Sequence, residues 1–98
     1  MDYESLIESG QAVIVHFFAS WSEQCQLMTR VFHEVKQALG RRIEIVNVDI
    51  EKEKELAAAY EVQTVPTIII FHNGKRVWRR NGITSLHEIL EHAQMIIE

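Results

Sequence analysis

Residues 13–28 read VIVHFFASWSEQCQLM, and this stretch decides the fold. It begins inside an almost unbroken apolar run over residues 12–19, which is short and rich in β-branched and aromatic residues. Such a run predicts a strand buried on both faces, at the centre of a sheet. Ser22 is a good N-cap and the apolar spacing becomes helical from Leu27 onward, so a helix should follow. The only cysteine, Cys25, therefore lies one turn inside a helix N-terminus.

The length and composition indicate one small globular domain over residues 1–98. The net charge of −4 argues against nucleic acid as the main partner. One cysteine excludes an intrachain disulfide, and acidic residues interrupt the start of the chain where a secretory signal would be apolar. A reducing cytoplasm is therefore the expected location. No apolar run is long enough to span a bilayer, so no membrane partner is expected.

The rest of the chain predicts further helices and strands around this centre. Asn73-Gly74 separates two strand-like runs, which is a strong hairpin signal. Ser85, with Glu88 three residues later, predicts a capping box at the start of a last helix. The other expected elements are helices over residues 1–9, 22–39 and 51–60, and strands over residues 12–19, 43–50, 67–72 and 75–80. This order predicts an α/β fold in which a mixed sheet lies between two helical layers.

These motifs, in this order, resemble the thioredoxin family over nearly the whole chain. The matching segments are VIVHFFASW, VNVDIEKEKELAAAYEV, VPTIIIFHNGKRV and NGITSLHEIL. The resemblance implies a thioredoxin fold with a mixed sheet flanked by helices on both faces. It also implies that Pro66 is a cis proline facing Trp21 and Cys25, beside a groove for an extended peptide. The implied peptide-binding residues are Trp21, Val65, Pro66, Gly82 and Ile83.

The chain departs from the family at the redox pair. Where the family has Trp-Cys-Gly-Pro-Cys, this sequence has WSEQC, so Ser22 stands at the first cysteine position. A serine hydroxyl is not ionised at neutral pH and forms no mixed disulfide, which excludes the ordinary dithiol cycle. The segment HFFASWSEQC also resembles the thioredoxin-like N-terminal domains of multidomain monothiol glutaredoxins, which act mainly as docking modules. No Ser-His-acid spacing suggests a serine nucleophile at Ser22.

Two interpretations of Cys25 stay open. A buried cysteine is usually a small apolar core group without chemistry. By the resemblance, however, His16 replaces the buried acid behind the second cysteine, and Ile45 replaces the lysine beside that acid. An imidazole in contact with the sulfur would activate Cys25 as a monothiol, with His16 as its catalytic partner.

The sequence therefore supports two functional hypotheses. The first is a protein-binding or adaptor module in cell redox homeostasis, which uses the groove but has lost dithiol chemistry. The second is a monothiol redox protein in which Cys25 forms mixed disulfides with a partner protein or glutathione. No cofactor is expected, and no metal site, because the histidines have no ligand spacing around the one cysteine. The basic segment KRVWRR on the hairpin is better explained as protection of an edge strand than as a nucleic-acid surface.

The start of the chain also bears on the sheet. Typical family members have one more strand before the first helix, and here only residues 1–11 precede the central run. We therefore expect four strands, with five as the alternative. The strand near residues 43–49 then becomes an edge that could pair with a second copy or a partner strand, unless Arg41, Arg42 and Glu44 protect it by charge.

Overall fold

The computed structural model describes residues 3–97. Its elements are α1 (Tyr3–Ile7), β1 (Ala12–Phe18), α2 (Glu23–Leu39), a 3-10 turn (Gly40–Arg42), β2 (Glu44–Asp49), α3 (Lys54–Ala59), β3 (Thr67–His72), β4 (Lys75–Asn81) and α4 (Leu86–Gln94). The predicted order of helices and strands is confirmed, although residues 1–2 of the first expected helix lie outside the described residues. None of the helices in the described part of the chain is long and apolar enough to cross a membrane.

The sheet is mixed, and over the described residues it has four strands in the order β2-β1-β3-β4. β1 pairs in parallel with β2 and antiparallel with β3, and β3 pairs antiparallel with β4. β1 therefore has a strand neighbour on each side and lies in the interior of the sheet. The predicted thioredoxin fold with four strands is confirmed, and β2 forms an edge of the sheet, as expected.

Each face of the sheet is covered by two helices. Alternate residues of a strand point to opposite faces, so each strand contributes to both cores. On one face, α2 and α4 pack with a core of Ala12, Ile14, Met28, Phe32, Val35, Leu39, Ile43, Ile68, Ile70, Ile89 and Ala93. On the other face, the α1 and α3 side, the core consists of Ile7, Val13, Val15, Phe17, Val46, Val48, Ile69 and Phe71. The two helical layers predicted from the sequence are therefore present.

The predicted start of the third helix was wrong by three residues. The helix begins at Lys54, and residues 51–53 form a turn. The cause is Asp49, whose side-chain Oδ1 accepts the Glu51 N–H at 2.9 Å and whose carbonyl accepts the N–H groups of Lys52 and Glu53. These bonds hold the three amides in a turn before the helix can begin.

The turn and cap signals were mostly predictive. Asn73 and Gly74 both have positive φ, 56° and 77°, as a two-residue hairpin turn requires. The Ser85 hydroxyl accepts the Glu88 N–H at 3.1 Å and caps α4. The Glu88 carboxylate, however, pairs with Arg80 on β4, so only half of the predicted capping box can be assigned. The last helix is therefore also tied to the outer hairpin strand.

Candidate functional site

Three segments meet at one end of the sheet. Phe17 of β1 pairs with Thr67 of β3, and Thr67 pairs with Asn81 of β4. The residues that follow β1, precede β3 and follow β4 therefore lie side by side at this end. These are the segments that carry the predicted groove residues Trp21, Val65, Pro66, Gly82 and Ile83.

Trp21 stands at the entrance to α2 and is 67% exposed. Its indole Nε1 donates a hydrogen bond to Glu51 Oε2 at 3.2 Å. Glu51 belongs to the turn that Asp49 organises after β2, so a second strand end fixes the orientation of the ring. A large aromatic side chain is thus held in the open, where it can contact a ligand.

Ser22 and Cys25 are both parts of the helix start. The Ser22 Oγ accepts the Cys25 N–H at 3.2 Å, which is the N-cap bond of α2. Ser22 is 6% exposed and Cys25 is 2% exposed. The serine oxygen is therefore engaged by the backbone, and the free thiol of Cys25 is almost closed to solvent.

The loop before β3 offers backbone groups beside this helix start. The Val65–Pro66 peptide bond is cis, and the Pro66 carbonyl accepts the Gly82 N–H at 2.7 Å. The Thr67 hydroxyl donates to the Thr64 carbonyl at 2.7 Å and closes the loop on itself. Within residues 3–97, neither the N–H nor the carbonyl of Val65 takes part in a hydrogen bond. Both groups are available to an extended peptide.

The loop after β4 is fixed at both of its ends. Gly82 is bonded to Pro66, as described, and the buried Thr84 donates its N–H to Met28 Sδ of α2 at 3.5 Å. Ile83 lies between these two attachments and is 51% exposed. An apolar side chain is thus presented to solvent on a loop that is anchored on both sides.

His16 is fully buried in β1, and its Nδ1 lies 3.1 Å from Asn47 Oδ1 of β2. Because an amide oxygen only accepts, Nδ1 carries the proton and Nε2 is the unprotonated nitrogen. Nε2 has no hydrogen-bond partner among the described residues, so the imidazole does not bond to the Cys25 sulfur. Burial lowers the pKa of His16 to about 4, against a smaller opposing effect of the Asn47 bond. His16 is therefore neutral at pH 7 and supplies no positive charge to the thiol.

The chemistry of these segments differs from that of a metal centre. Among residues 3–97, no group of three or more His, Cys, Asp or Glu side chains is placed to hold an ion. The segments instead combine an exposed indole, an exposed isoleucine and an open stretch of backbone. This arrangement can bind an extended peptide by backbone pairing and apolar contact.

Sequence reasoning missed the residues that hold the segments of the predicted groove in place. Glu51, Thr84 and Met28 lie far along the chain from the groups they hold, and the charged run around Glu51 indicates only a solvated surface. The one local signal in the sequence was the apolar spacing of α2, which marks Met28 as a core residue but not as a hydrogen-bond acceptor for Thr84.

A helix that starts directly after a central strand, an X-Pro loop before an antiparallel hairpin, and helices on both faces of a mixed sheet define a thioredoxin-fold protein. A family model described as Thioredoxin matches residues 1–95 of this chain. The chain therefore belongs to the thioredoxin family.

Two curated relatives illustrate the match. The chain is 35% identical over 95 residues to the chloroplastic thioredoxin Y of Oryza sativa subsp. japonica, covering 97% of this chain and 56% of that protein. It is 30% identical over 94 residues to the thioredoxin-like protein slr0233 of Synechocystis sp., covering 96% of this chain and 90% of that protein. The chain thus spans little more than half of the rice protein.

Solved structures agree on the fold. A chloroplastic thioredoxin z has a TM-score of 0.86 at 30% identity, covering 95% of this chain and 85% of that one. A mutant thioredoxin from Halobacterium salinarum has a TM-score of 0.87 at 23% identity, covering 97% of this chain and 82% of that one. At the latter identity the likeness concerns the fold alone.

Proposed function

We propose that this protein is a thioredoxin-like binding or adaptor module in cell redox homeostasis. It would bind an extended segment of a partner protein in the groove formed by Trp21, Val65, Pro66, Gly82 and Ile83. The observation that carries the proposal is the unbonded backbone of Val65 beside the exposed side chains of Trp21 and Ile83. The cytoplasmic location expected from the sequence stays a prediction, since the rice relative is chloroplastic by name.

The recognition rests on two kinds of contact. The N–H and carbonyl of Val65 would exchange hydrogen bonds with one residue of the extended segment, as in strand addition. Trp21 and Ile83 would cover apolar side chains on either side of that residue. Both are held in place before binding, Trp21 by Glu51 and Ile83 by the bonds of its neighbours, so little order must be gained on binding.

The chemistry at the helix start favours binding over disulfide exchange. The attacking atom of a disulfide reductase is a thiolate, and here that position carries the Ser22 oxygen, engaged as an N-cap. The monothiol alternative needs the Cys25 sulfur to reach glutathione or a partner. Cys25 is buried and the His16 imidazole is neutral, so we place this alternative second.

A binding experiment tests the proposal directly. A library of extended peptides is screened against the full chain, and the best peptide is titrated against wild type, Trp21→Ala and Ile83→Asp. Both substitutions should weaken binding at least tenfold, on the scale of removing one buried anchor from an interface. The matched control is Met95→Ala, which removes an exposed apolar side chain outside the groove and should leave affinity unchanged. Equal affinity for all four proteins would remove the groove from the proposal.

A second experiment separates binding from redox activity. Wild type should not catalyse insulin reduction by dithiothreitol, and oxidised glutathione should leave its mass unchanged. Ser22→Cys restores the missing sulfur beside an intact groove, so this variant should gain reductase turnover, and adding Trp21→Ala should lower it. A stoichiometric, reversible glutathione adduct on the native wild-type protein would favour the monothiol alternative instead.

A further inference from the structure

The sheet edge at β2 carries backbone N–H and carbonyl groups that face away from β1. The Ile50 N–H donates to the Phe18 carbonyl at 3.0 Å, across the β1–β2 pair. The N–H and carbonyl groups of an extended strand alternate in direction from one residue to the next. In β2, those of the even-numbered residues therefore face β1, and those of the odd-numbered residues face outward from the sheet edge. The outward backbone groups on this edge therefore belong to Ile45, Asn47 and Asp49, preceded by Ile43.

At each end of this edge, an outward backbone carbonyl already accepts a hydrogen bond within the chain. The Ile43 carbonyl accepts a hydrogen bond from Lys36 Nζ of α2 at 2.8 Å. The Asp49 carbonyl accepts the N–H groups of residues 52 and 53. Arg42, which the sequence suggested as an edge guard, instead donates to the carbonyls of Leu39 and residue 38 at the end of α2. Within residues 3–97, Ile45 and Asn47 are left as the two outward residues of β2 with no hydrogen bond to either the backbone N–H or the carbonyl.

This open segment is complementary to itself. In an antiparallel pair with a second copy, Ile45 lies opposite Asn47 of the second copy, and the two-fold axis passes beside Val46. Each residue of such a pair exchanges both its N–H and its carbonyl, so the two copies form four hydrogen bonds. The same register places Ile43 opposite Asp49 of the second copy. The two residues whose carbonyls are engaged thus face each other, outside the four bonds of the pair.

The side chains of this register are compatible as well. Val46 meets Val46 of the second copy on the axis, and Glu44 lies opposite Val48, so no two carboxylates face each other across the pair. Glu44 is moreover paired with Lys36 at 3.9 Å in its own chain. On the α2 side, a cleft of about 300 Å³ runs along the edge, lined by Phe32, Lys36 and Asn47 among others. Ile45 of the second copy would enter it beside Asn47.

We infer that the β2 edge is an interface for a second copy of this chain, joined by antiparallel pairing of residues 45–47 about a two-fold axis at Val46. The dimer has one continuous eight-stranded sheet, twice the four strands of each copy. Because the two β2 strands run in opposite directions, the two Trp21 grooves lie at opposite ends of that sheet. The dimer is therefore bivalent, and its formation does not depend on what the groove binds.

Light scattering after size exclusion, over a range of protein concentrations, measures the assembly. The mass of wild type should rise with concentration from 11.4 kDa to twice that value. Asn47→Pro removes one outward N–H from each copy, two of the four bonds, and should weaken the dimer roughly tenfold or more. Proline is tolerated on an edge strand where its nitrogen faces outward. The matched control, Asn47→Thr, also loses the His16 contact but keeps the N–H, and should remain dimeric.

Disulfide trapping tests the register without relying on the proline variant. In the background Cys25→Ala, Val46→Cys places two thiols on the axis, where paired Cα atoms are about 4.5 Å apart and a disulfide fits. Val48→Cys, on the same strand and face, places the two thiols four residues apart along the paired strands. Mild oxidation should link the first variant and not the second.

Three outcomes would overturn the inference. They are a wild-type mass that stays monomeric at millimolar concentration, equal dimer affinity for wild type and Asn47→Pro, and equal trapping at positions 46 and 48.

Discussion

Lowering the pH should destabilise this protein through one buried imidazole. In the folded state, the pKa of His16 is lowered to about 4 from its ordinary value of 6.5. The cause is burial, since a proton added at Nε2 would place a charge and an unpaired N–H in the core, beside the rings of Phe18 and Phe32. Between pH 6.5 and pH 4, the unfolded chain therefore binds the proton that the folded chain refuses.

The size and sign of the effect follow from that difference. The stabilising contribution is fully present above pH 6.5 and is lost as the pH falls toward 4, because the folded-state pKa is the lower of the two. At about 1.4 kcal/mol for each pKa unit, the free energy of unfolding should fall by about 3 kcal/mol between pH 7 and pH 4 from this residue alone. For a domain of this size that is a large fraction of the total stability.

Urea unfolding at several pH values between 7 and 4, followed by tryptophan fluorescence, measures the loss. Carboxylates also titrate in this range, so the informative quantity is the difference in pH-dependent stability between wild type and His16→Leu. This substitution replaces the imidazole with an apolar side chain of similar volume in β1. The variant should lack about 3 kcal/mol of the pH-dependent loss. His33→Gln, at an exposed histidine of α2, should behave as wild type. Parallel stability curves for wild type and His16→Leu would refute the reasoning.

Three further predictions concern the helix start and the loop anchors. Ser22→Ala removes the N-cap of α2 and should lower the free energy of unfolding by about 1 kcal/mol in urea titration, whereas Ser22→Asn should largely preserve it. Cys25 should react with Ellman's reagent roughly a hundredfold more slowly in the folded protein than in guanidinium, since its exposure requires local opening; equal rates would contradict its burial. Met28→Ala creates a cavity and removes the acceptor of the Thr84 N–H, so it should cost about 3 kcal/mol of stability. Met28→Leu, which keeps the volume, should cost less than about 1.5 kcal/mol, and urea titration measures both variants.

Local signals predicted the elements of this fold well, and contacts across the chain were harder to predict. The buried strand, the N-cap at Ser22 and the turn at Asn73 each depend on a few adjacent residues, and all three were predicted. The start of α3 was not, because the amides of residues 51–53 donate to acceptors of Asp49, and a run of charged residues does not reveal that competition.

The candidate site shows the same division. The family pattern predicted a groove at the proline loop and Trp21, and the register of β1, β3 and β4 brings the segments that carry them to one end of the sheet. The sequence left open whether His16 bonds to the Cys25 sulfur; in the structure Nδ1 of the imidazole bonds to Asn47, and Nε2 has no hydrogen-bond partner among the described residues. Side-chain orientation around a buried ring depends on three-dimensional neighbours that no local pattern specifies.

The double attachment of Ile83 has a consequence for how ligand specificity can change. With Gly82 bonded to the proline loop and Thr84 bonded to α2, the backbone on either side of Ile83 is set by the core. The free and occupied groove should therefore superpose within about 1 Å, as in lock-and-key recognition. Substitutions at position 83 alone could then alter preference for one peptide over another while the scaffold stays the same.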